Sequence, residues 1–287
     1  MSAVTIQRTV TDEELRMYAE IVYDRTGIRI SPQKKTLLSN RLRRRMRKLG
    51  IDSYQEYYEL LLKLGIRDPE WDLFLQEITT HETYLFRDPG QWDWFSNEYL
   101  PELNAARKRG DRRATLRIWS AACSTGDEVY TIACCVAAKL PAHSEWEIEI
   151  VGTDIGIGAV EEAQAARFGT RAMQHVPDAY RRRFFRQIDP ETWEASPLLK
   201  SWTQFRQHNL MKPMAGRPFD VIFVKNVLIY FDPKSKQVVV DNIDRSLARG
   251  GMLVTGPAEG VSDLLKSYER VQPWLHRKPH TSKLRGR

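Results

Sequence analysis

Trp119-Ser120-Ala121-Ala122-Cys123-Ser124-Thr125-Gly126-Asp127-Glu128 is the stretch on which the reading of this chain turns. An apolar run, Leu116-Arg117-Ile118-Trp119, leads into it, and a helical pattern from Tyr130 to Leu140 leaves it. A strand, a turn of small residues and a helix in that order let the backbone approach a ligand at the carboxyl end of a strand. The turn lacks the three glycines of the dinucleotide fingerprint, and a helix opening on two acidic residues would repel a pyrophosphate. A cationic ligand with an adenosine part fits better. S-adenosylmethionine carries a sulfonium and an ammonium, so Glu128 can pair with its methionine end while staying near a helix N-terminus. The alternative is that Asp127 and Glu128 only stabilise the helix.

Outward from the turn, Trp146-Glu147-Ile148-Glu149-Ile150-Val151 reads as a second strand, continuing into Gly152-Thr153-Asp154. A carboxylate at that strand end is placed to hold a ribose diol through two hydrogen bonds, although Asp154 is equally suited to cap the next helix. Phe219-Asp220-Val221-Ile222-Phe223-Val224 and Met252-Leu253-Val254 are further apolar runs suited to strands. Strands alternating with helices predict an α/β fold with a parallel sheet. Residues 168 to about 208 are polar, aromatic and irregular, and are expected to form an insertion.

The first 80 residues follow another rule. Thr11-Asp12-Glu13-Glu14 is a capping box followed by Leu15, Tyr18, Ala19 and Val22 at helical spacing, and Gly27 ends the pattern. Ser31-Pro32 starts a second helix through Leu38, Leu42 and Met46 to Gly50, whose other face holds Arg41, Arg43, Arg44, Arg45, Arg47 and Lys48. Ser53-Tyr54-Gln55-Glu56 opens a third, and Pro69 sits in the first turn of a fourth through Trp71, Phe74, Leu75 and Ile78. The expected division is an all-helical domain over 1–80 and an α/β domain over 81–287. The last dozen residues, with Arg277, Lys278, Lys283, Arg285 and Arg287, read as a loose basic tail.

The net charge of +7 favours an acidic partner without naming it, and 42% hydrophobic residues exclude a disordered chain. Cys123, Cys134 and Cys135 lie too close together for a disulfide framework or a spaced metal site, so buried thiols and no metal are expected. No run of about 18 apolar residues and no signal-like N-terminus occur, which predicts a cytoplasmic protein with no membrane insertion.

In order along the chain, Thr83-Tyr84-Leu85-Phe86-Arg87, Trp119 to Tyr130, Gly152-Thr153-Asp154, Asn209-Leu210, the run from Phe219 to Asp232 and Glu259 after Gly256-Pro257-Ala258 resemble the motifs of CheR-type chemoreceptor methyltransferases. The resemblance implies a small N-terminal helical domain followed by a Rossmann-like S-adenosylmethionine-dependent domain with a small antiparallel β insertion. It implies that Arg87, Glu128 and Asp154 contact the cofactor, with Asn209 and Leu210 beside the adenine and Asn226 at the methionine end. His81, Thr83 and Lys225 fall among the cofactor positions, and Arg87 and Tyr230 face the reacting centre. The product is S-adenosylhomocysteine, and the substrate is a glutamate carboxylate on the acidic helical cytoplasmic domain of a chemoreceptor. The basic face from Arg41 to Lys48 reads by itself as either a solvated face or a docking surface, and the resemblance implies docking to that acidic domain; a monomer is expected.

The chain departs from the family pattern at His81 (usually Asn), Leu85 (usually aromatic), Asp127 (usually Glu), Val129 (usually Pro) and Lys225 (commonly Arg). His81 and Lys225 bear on cofactor geometry. The segment from Phe185 to Trp193 is short and lacks the glycine of the loop that grips a receptor's C-terminal peptide in some members, so no such tether is expected. Two rivals stand. A nucleic-acid methyltransferase suits the arginines, but no Asn/Asp-Pro-Pro-Tyr/Phe motif or aromatic platform accompanies them. A non-catalytic adaptor would have no use for Glu128 and Asp154, which this chain retains.

Overall fold

Four helices open the computed structural model, which describes residues 8–280: α1 (Asp12–Thr26), α2 (Lys35–Leu49), α3 (Tyr54–Lys63) and α4 (Pro69–Ile78). Thr11 Oγ1 accepts from the Glu14 amide and the Glu14 carboxylate accepts from the Thr11 amide, closing the expected box. Gly27 (φ +72) and Gly50 (φ +69) end α1 and α2 in the left-handed region that glycine enters without steric cost. Tyr18, Leu42, Tyr57 and Phe74 centre a hydrophobic cluster whose buried members run from Val10 to Ile78.

A long helical stretch then crosses to the sheet: α5 (Pro89–Trp94), a π-helical turn (Phe95–Tyr99) and α6 (Leu100–Lys108). The wide turn precedes Pro101, which has no N–H to return to the carbonyl four residues back.

The main sheet has seven strands in the order β6-β2-β1-β7-β8-β10-β9. These are β1 (Thr115–Ala121), β2 (Glu147–Asp154), β6 (Thr203–Gln207), β7 (Phe219–Val224), β8 (Leu247–Thr255), β9 (Glu269–Gln272) and β10 (Leu275–Arg277). The first five strands in that spatial order pair in parallel, and β10 and β9 add an antiparallel edge. Successive residues serve opposite faces: Ile118 and Phe223 pack with α7 (Asp127–Lys139), whereas Trp119 and Ile222 pack with α12 (Pro233–Ser246). Cys123, Cys134 and Cys135 are buried free thiols.

After α8 (Ile157–Ala165), the strands β3 (Arg167–Gly169), β4 (Phe185–Asp189) and β5 (Thr192–Ala195) form a separate antiparallel sheet in the order β3-β5-β4, accompanied by α9 (Thr170–Met173), α10 (Asp178–Phe184) and α11 (Pro197–Trp202). The expected insertion to about 208 is therefore too long. Residues 203–207 pair in parallel with β2, and their half-exposed edge position explains a polar sequence that does not read as a strand. The first two of the expected tail residues belong to the fold. Arg277 ends β10, and the Lys278 amide and carbonyl bond Gly251 and Gly250. Lys283, Arg285 and Arg287 lie outside the described residues. No helix among the described residues is long and apolar enough to cross a membrane.

Candidate active site

β1 has β2 on one side and β7 on the other, so the chain reverses its winding direction at β1 and opens a crevice at the strand ends. The turn that follows β1 is tightly wound: Ala122 (φ +67), Ser124 (φ +51) and Gly126 (φ +90) are all left-handed. Only small side chains fit. A Cβ on Gly126 would stand 2.9 Å from the Ala163 Cβ, and one on Gly152 of β2 would stand 2.7 Å from Phe205. Phe86, Asp88 and Asn226, in two neighbouring loops, are left-handed too. Non-glycine residues held there cost about 1–3 kcal/mol each, and such strain gathers where backbone shape serves function.

One cavity is lined by His81, Thr83, Arg87, Glu128, Asp154, Asn209, Leu210, Lys225, Asn226 and Tyr230, which are all the sequence-predicted cofactor and reacting-centre positions. Asp154 is buried, and its two oxygens accept from the Ser124 amide (2.9 Å) and the Gly156 amide (3.0 Å), leaving a lone pair on each for a diol. His81 Nδ1 lies 3.6 Å from Asp154 Oδ1 and makes no hydrogen bond, while its Nε2 meets Thr79 Oγ1 at 2.7 Å.

The two acids after Gly126 separate. Asp127 turns inward beside Thr125 (2.7 Å), where burial pushes its carboxyl up. Glu128 faces the cavity, accepts from Ser120 Oγ (2.8 Å) and lies 3.3 Å from Lys225 Nζ. The Lys225 side chain is 3% exposed and also meets Asp88 Oδ2 at 3.1 Å and the Trp92 ring at 4.9 Å. Lys225 thus serves as a point charge between two carboxylates, a role that does not require the guanidinium fork. Asp88 was missed in the sequence because an aspartate before Pro89 reads as a helix cap.

Asn209 lines the cavity and is also tied into the fold. Its Nδ2 donates to the Arg25 carbonyl (2.6 Å) and its Oδ1 accepts from the Met211 amide (3.0 Å), so its side chain fastens the end of α1 to the cavity wall. Nearby, Ile28 bridges to Phe231, the Arg29 amide donates to the Tyr230 carbonyl (2.8 Å) and Tyr23 Oη donates to Asp232 (3.0 Å). Glu259, buried, accepts from the Asn226 amide; burial pushes its carboxyl up against the pull of the amides of 226–229.

The basic face of α2 divides. Arg41 turns into the cavity, donating to the Ile78 carbonyl and Thr80 Oγ1 (2.9 Å). Arg45 is 11% exposed and paired with Glu70, which Tyr57 also bonds. That internal pair removes Arg45 from the exposed basic face on which the sequence placed it. Arg44 and Lys48 flank Glu77 and are exposed with Arg47, and Arg43 is half-buried beside Asn40. Arg87 reaches the Glu82 carbonyl (3.4 Å) and the Tyr84 ring (5.7 Å), and Lys34 lies 4.8 Å from the Tyr230 ring centroid.

The family model for the all-alpha domain of CheR methyltransferases matches residues 13–79, and that for their S-adenosylmethionine-binding domain matches residues 81–274. The chain belongs to the CheR methyltransferase family. It is 33% identical to a chemotaxis protein methyltransferase of Pseudomonas aeruginosa, covering 86% of this chain and 89% of the relative. It is 29% identical to those of Borreliella burgdorferi (94% and 95% covered) and Escherichia coli (92% and 90% covered). S-adenosylmethionine is the family's cofactor, and the donor set suits it. Acids at Glu128 and Asp154 answer an ammonium and a diol, Arg87 answers a carboxylate, and Leu210 and Ile155 supply apolar wall.

Proposed function

We propose that this chain methylates glutamate carboxylates on the acidic helical cytoplasmic domain of chemoreceptors. The observation that carries this reading is a single cavity lined by the acids Glu128 and Asp154, the cations Arg41 and Arg87 and the phenol of Tyr230. S-adenosylmethionine supplies a methyl group on a sulfonium and is released as S-adenosylhomocysteine. Thr83, His81, Asp154 and Leu210 shape its adenosine side, and Glu128, Lys225 and Asn226 its methionine side. A glutamate, with a reference pKa of about 4.3, arrives ionised, so no general base is needed. Arg87 and Tyr230 orient the acceptor oxygen, and alignment of two reactants supplies several kcal/mol of the barrier.

Residues 1–80 act as the receptor-docking unit through Arg43, Arg44, Arg47 and Lys48, and residues 81–287 as the transfer unit. The two-residue turn at Pro190-Glu191, with no glycine, favours an enzyme working without a C-terminal receptor tether; a monomer is the proposed state, carried by no structural observation.

The test is transfer of radiolabelled methyl to receptor cytoplasmic fragments, with nucleic acid in parallel and mild base afterwards. Base-labile label on the receptor is expected; label on nucleic acid, or cofactor binding without transfer, refutes the proposal. Tyr230→Phe should bind cofactor and turn over slowly, whereas Arg87→Ala should lose cofactor affinity as well as turnover; full turnover in both removes their positioning role. Arg44→Glu with Arg47→Glu should raise KM for receptor at unchanged kcat.

A further inference from the structure

The Lys225 ammonium, 3% exposed in its side chain, is shared between Glu128 at 3.3 Å and Asp88 at 3.1 Å. Asp88 is oriented at a cost. It occupies the N-cap position of α5 but makes no capping hydrogen bond, and it holds a left-handed φ of +63 that places Oδ2 against the lysine. That oxygen is buried and has no hydrogen bond among the described residues, so its partnership with Lys225 is an ion pair alone.

The charges settle what this arrangement does. Lys225 with Glu128 alone would form a neutral pair, leaving nothing to attract a cation. Asp88 brings the group to a net charge of −1, two carboxylates against one ammonium. We infer that Asp88 is a positioning residue for the cofactor: by sharing Lys225 it leaves Glu128 one uncompensated negative charge for the α-ammonium of the methionine moiety. This rests on the reading that Glu128 holds the methionine end. In a buried setting a charge-assisted hydrogen bond kept or lost changes affinity by about tenfold or more.

The experiment is calorimetric binding of S-adenosylhomocysteine, which carries the ammonium, and of 5′-methylthioadenosine, which lacks the amino-acid part. Asp88→Asn, close in shape, should weaken S-adenosylhomocysteine about tenfold and leave methylthioadenosine within about twofold. Asp88→Glu should recover part of the loss. The double variant Asp88→Asn/Lys225→Met restores the net −1 and should bind S-adenosylhomocysteine more tightly than Asp88→Asn. Equal weakening of both ligands in Asp88→Asn, or a double variant weaker than the single, overturns the proposal. Glu128→Gln separates the two readings. If it leaves the preference for S-adenosylhomocysteine intact, the assignment of Glu128 falls; if it abolishes the preference while Asp88→Asn keeps it, only the role of Asp88 falls. Thermal unfolding of each variant identifies any that fails to fold, and Asp88→Glu then carries the comparison.

Discussion

Asn209→Ala would cut the tie between the helical domain and the cofactor wall. The side chain bonds the Arg25 carbonyl at 2.6 Å and the Met211 amide at 3.0 Å, and both partners are half-buried. Each neutral hydrogen bond contributes about 1 kcal/mol, and a partner left without one costs somewhat more, so the loss is about 2–3 kcal/mol. For a chain of this size that lowers Tm by about 5–10 °C. Because Met211 follows Leu210 at the cavity, loosening the segment should also weaken S-adenosylhomocysteine. Scanning calorimetry with and without ligand measures both effects. Tyr23→Phe, which breaks the neighbouring tie to Asp232 without touching the cavity wall, should lower Tm by about 1 kcal/mol equivalent. If Asn209→Ala leaves Tm unchanged while ligand affinity collapses, the side chain serves the adenine directly and the fastening role is wrong.

Gly152→Ala places a Cβ 2.7 Å from Phe205 and 2.8 Å from Val129, so it should destabilise by about 1–3 kcal/mol in denaturant unfolding; a neutral result would mean that β6 yields freely. Arg45→Glu sets a like charge against Glu70 inside the helical domain and should cost about 3 kcal/mol, whereas Arg44→Glu on the exposed face should unfold within about 0.5 kcal/mol of the parent. The Arg8 guanidinium hydrogen-bonded to Glu14 holds that carboxyl below its ordinary range. A depressed acid contributes stability above its unfolded pKa and loses it as pH falls through the folded value. Glu14→Gln should therefore lower Tm at neutral pH by about 1 kcal/mol equivalent and converge with the parent in acid; a constant gap across pH would contradict the ion pair.

Much of this was legible. The starts of α1, α3 and α4 and the ends of α1 and α2 follow from Thr11, Ser53, Pro69, Gly27 and Gly50, each acting within one turn of itself, whereas Pro32 opens a 3₁₀ turn (Pro32–Lys34) and α2 starts only at Lys35. The inward turn of Arg41 and Arg45 was also encoded: each stands three residues after an apolar stripe position, Leu38 and Leu42, and so borders that stripe. β6 was hidden because an edge strand needs little apolar content, and the stretch 89–108 because Pro101 and a π turn break helical spacing. The partnership of Asp88 with Lys225 joins positions 137 apart in the chain, and no local pattern announces it.

We propose that the cavity sorts its two reactants by charge. On the proposed cofactor side, Asp154 and Glu128 line the cavity with Lys225, and Asp88 pairs with Lys225 from outside that lining. On the proposed acceptor side, Arg41 and Lys34 have a carbonyl, a hydroxyl or an aromatic ring as partners, and among the described residues neither forms an ion pair. Burial pulls the Arg41 guanidinium down, which records the cost of leaving it with neutral partners. A carboxylate entering from the receptor recovers that cost, whereas a cationic ligand there would add to it. The same polarity repels a carboxylate from the acidic cofactor wall. On this proposal the anionic acceptor and the cationic donor are sorted to side chains of opposite charge within one cavity.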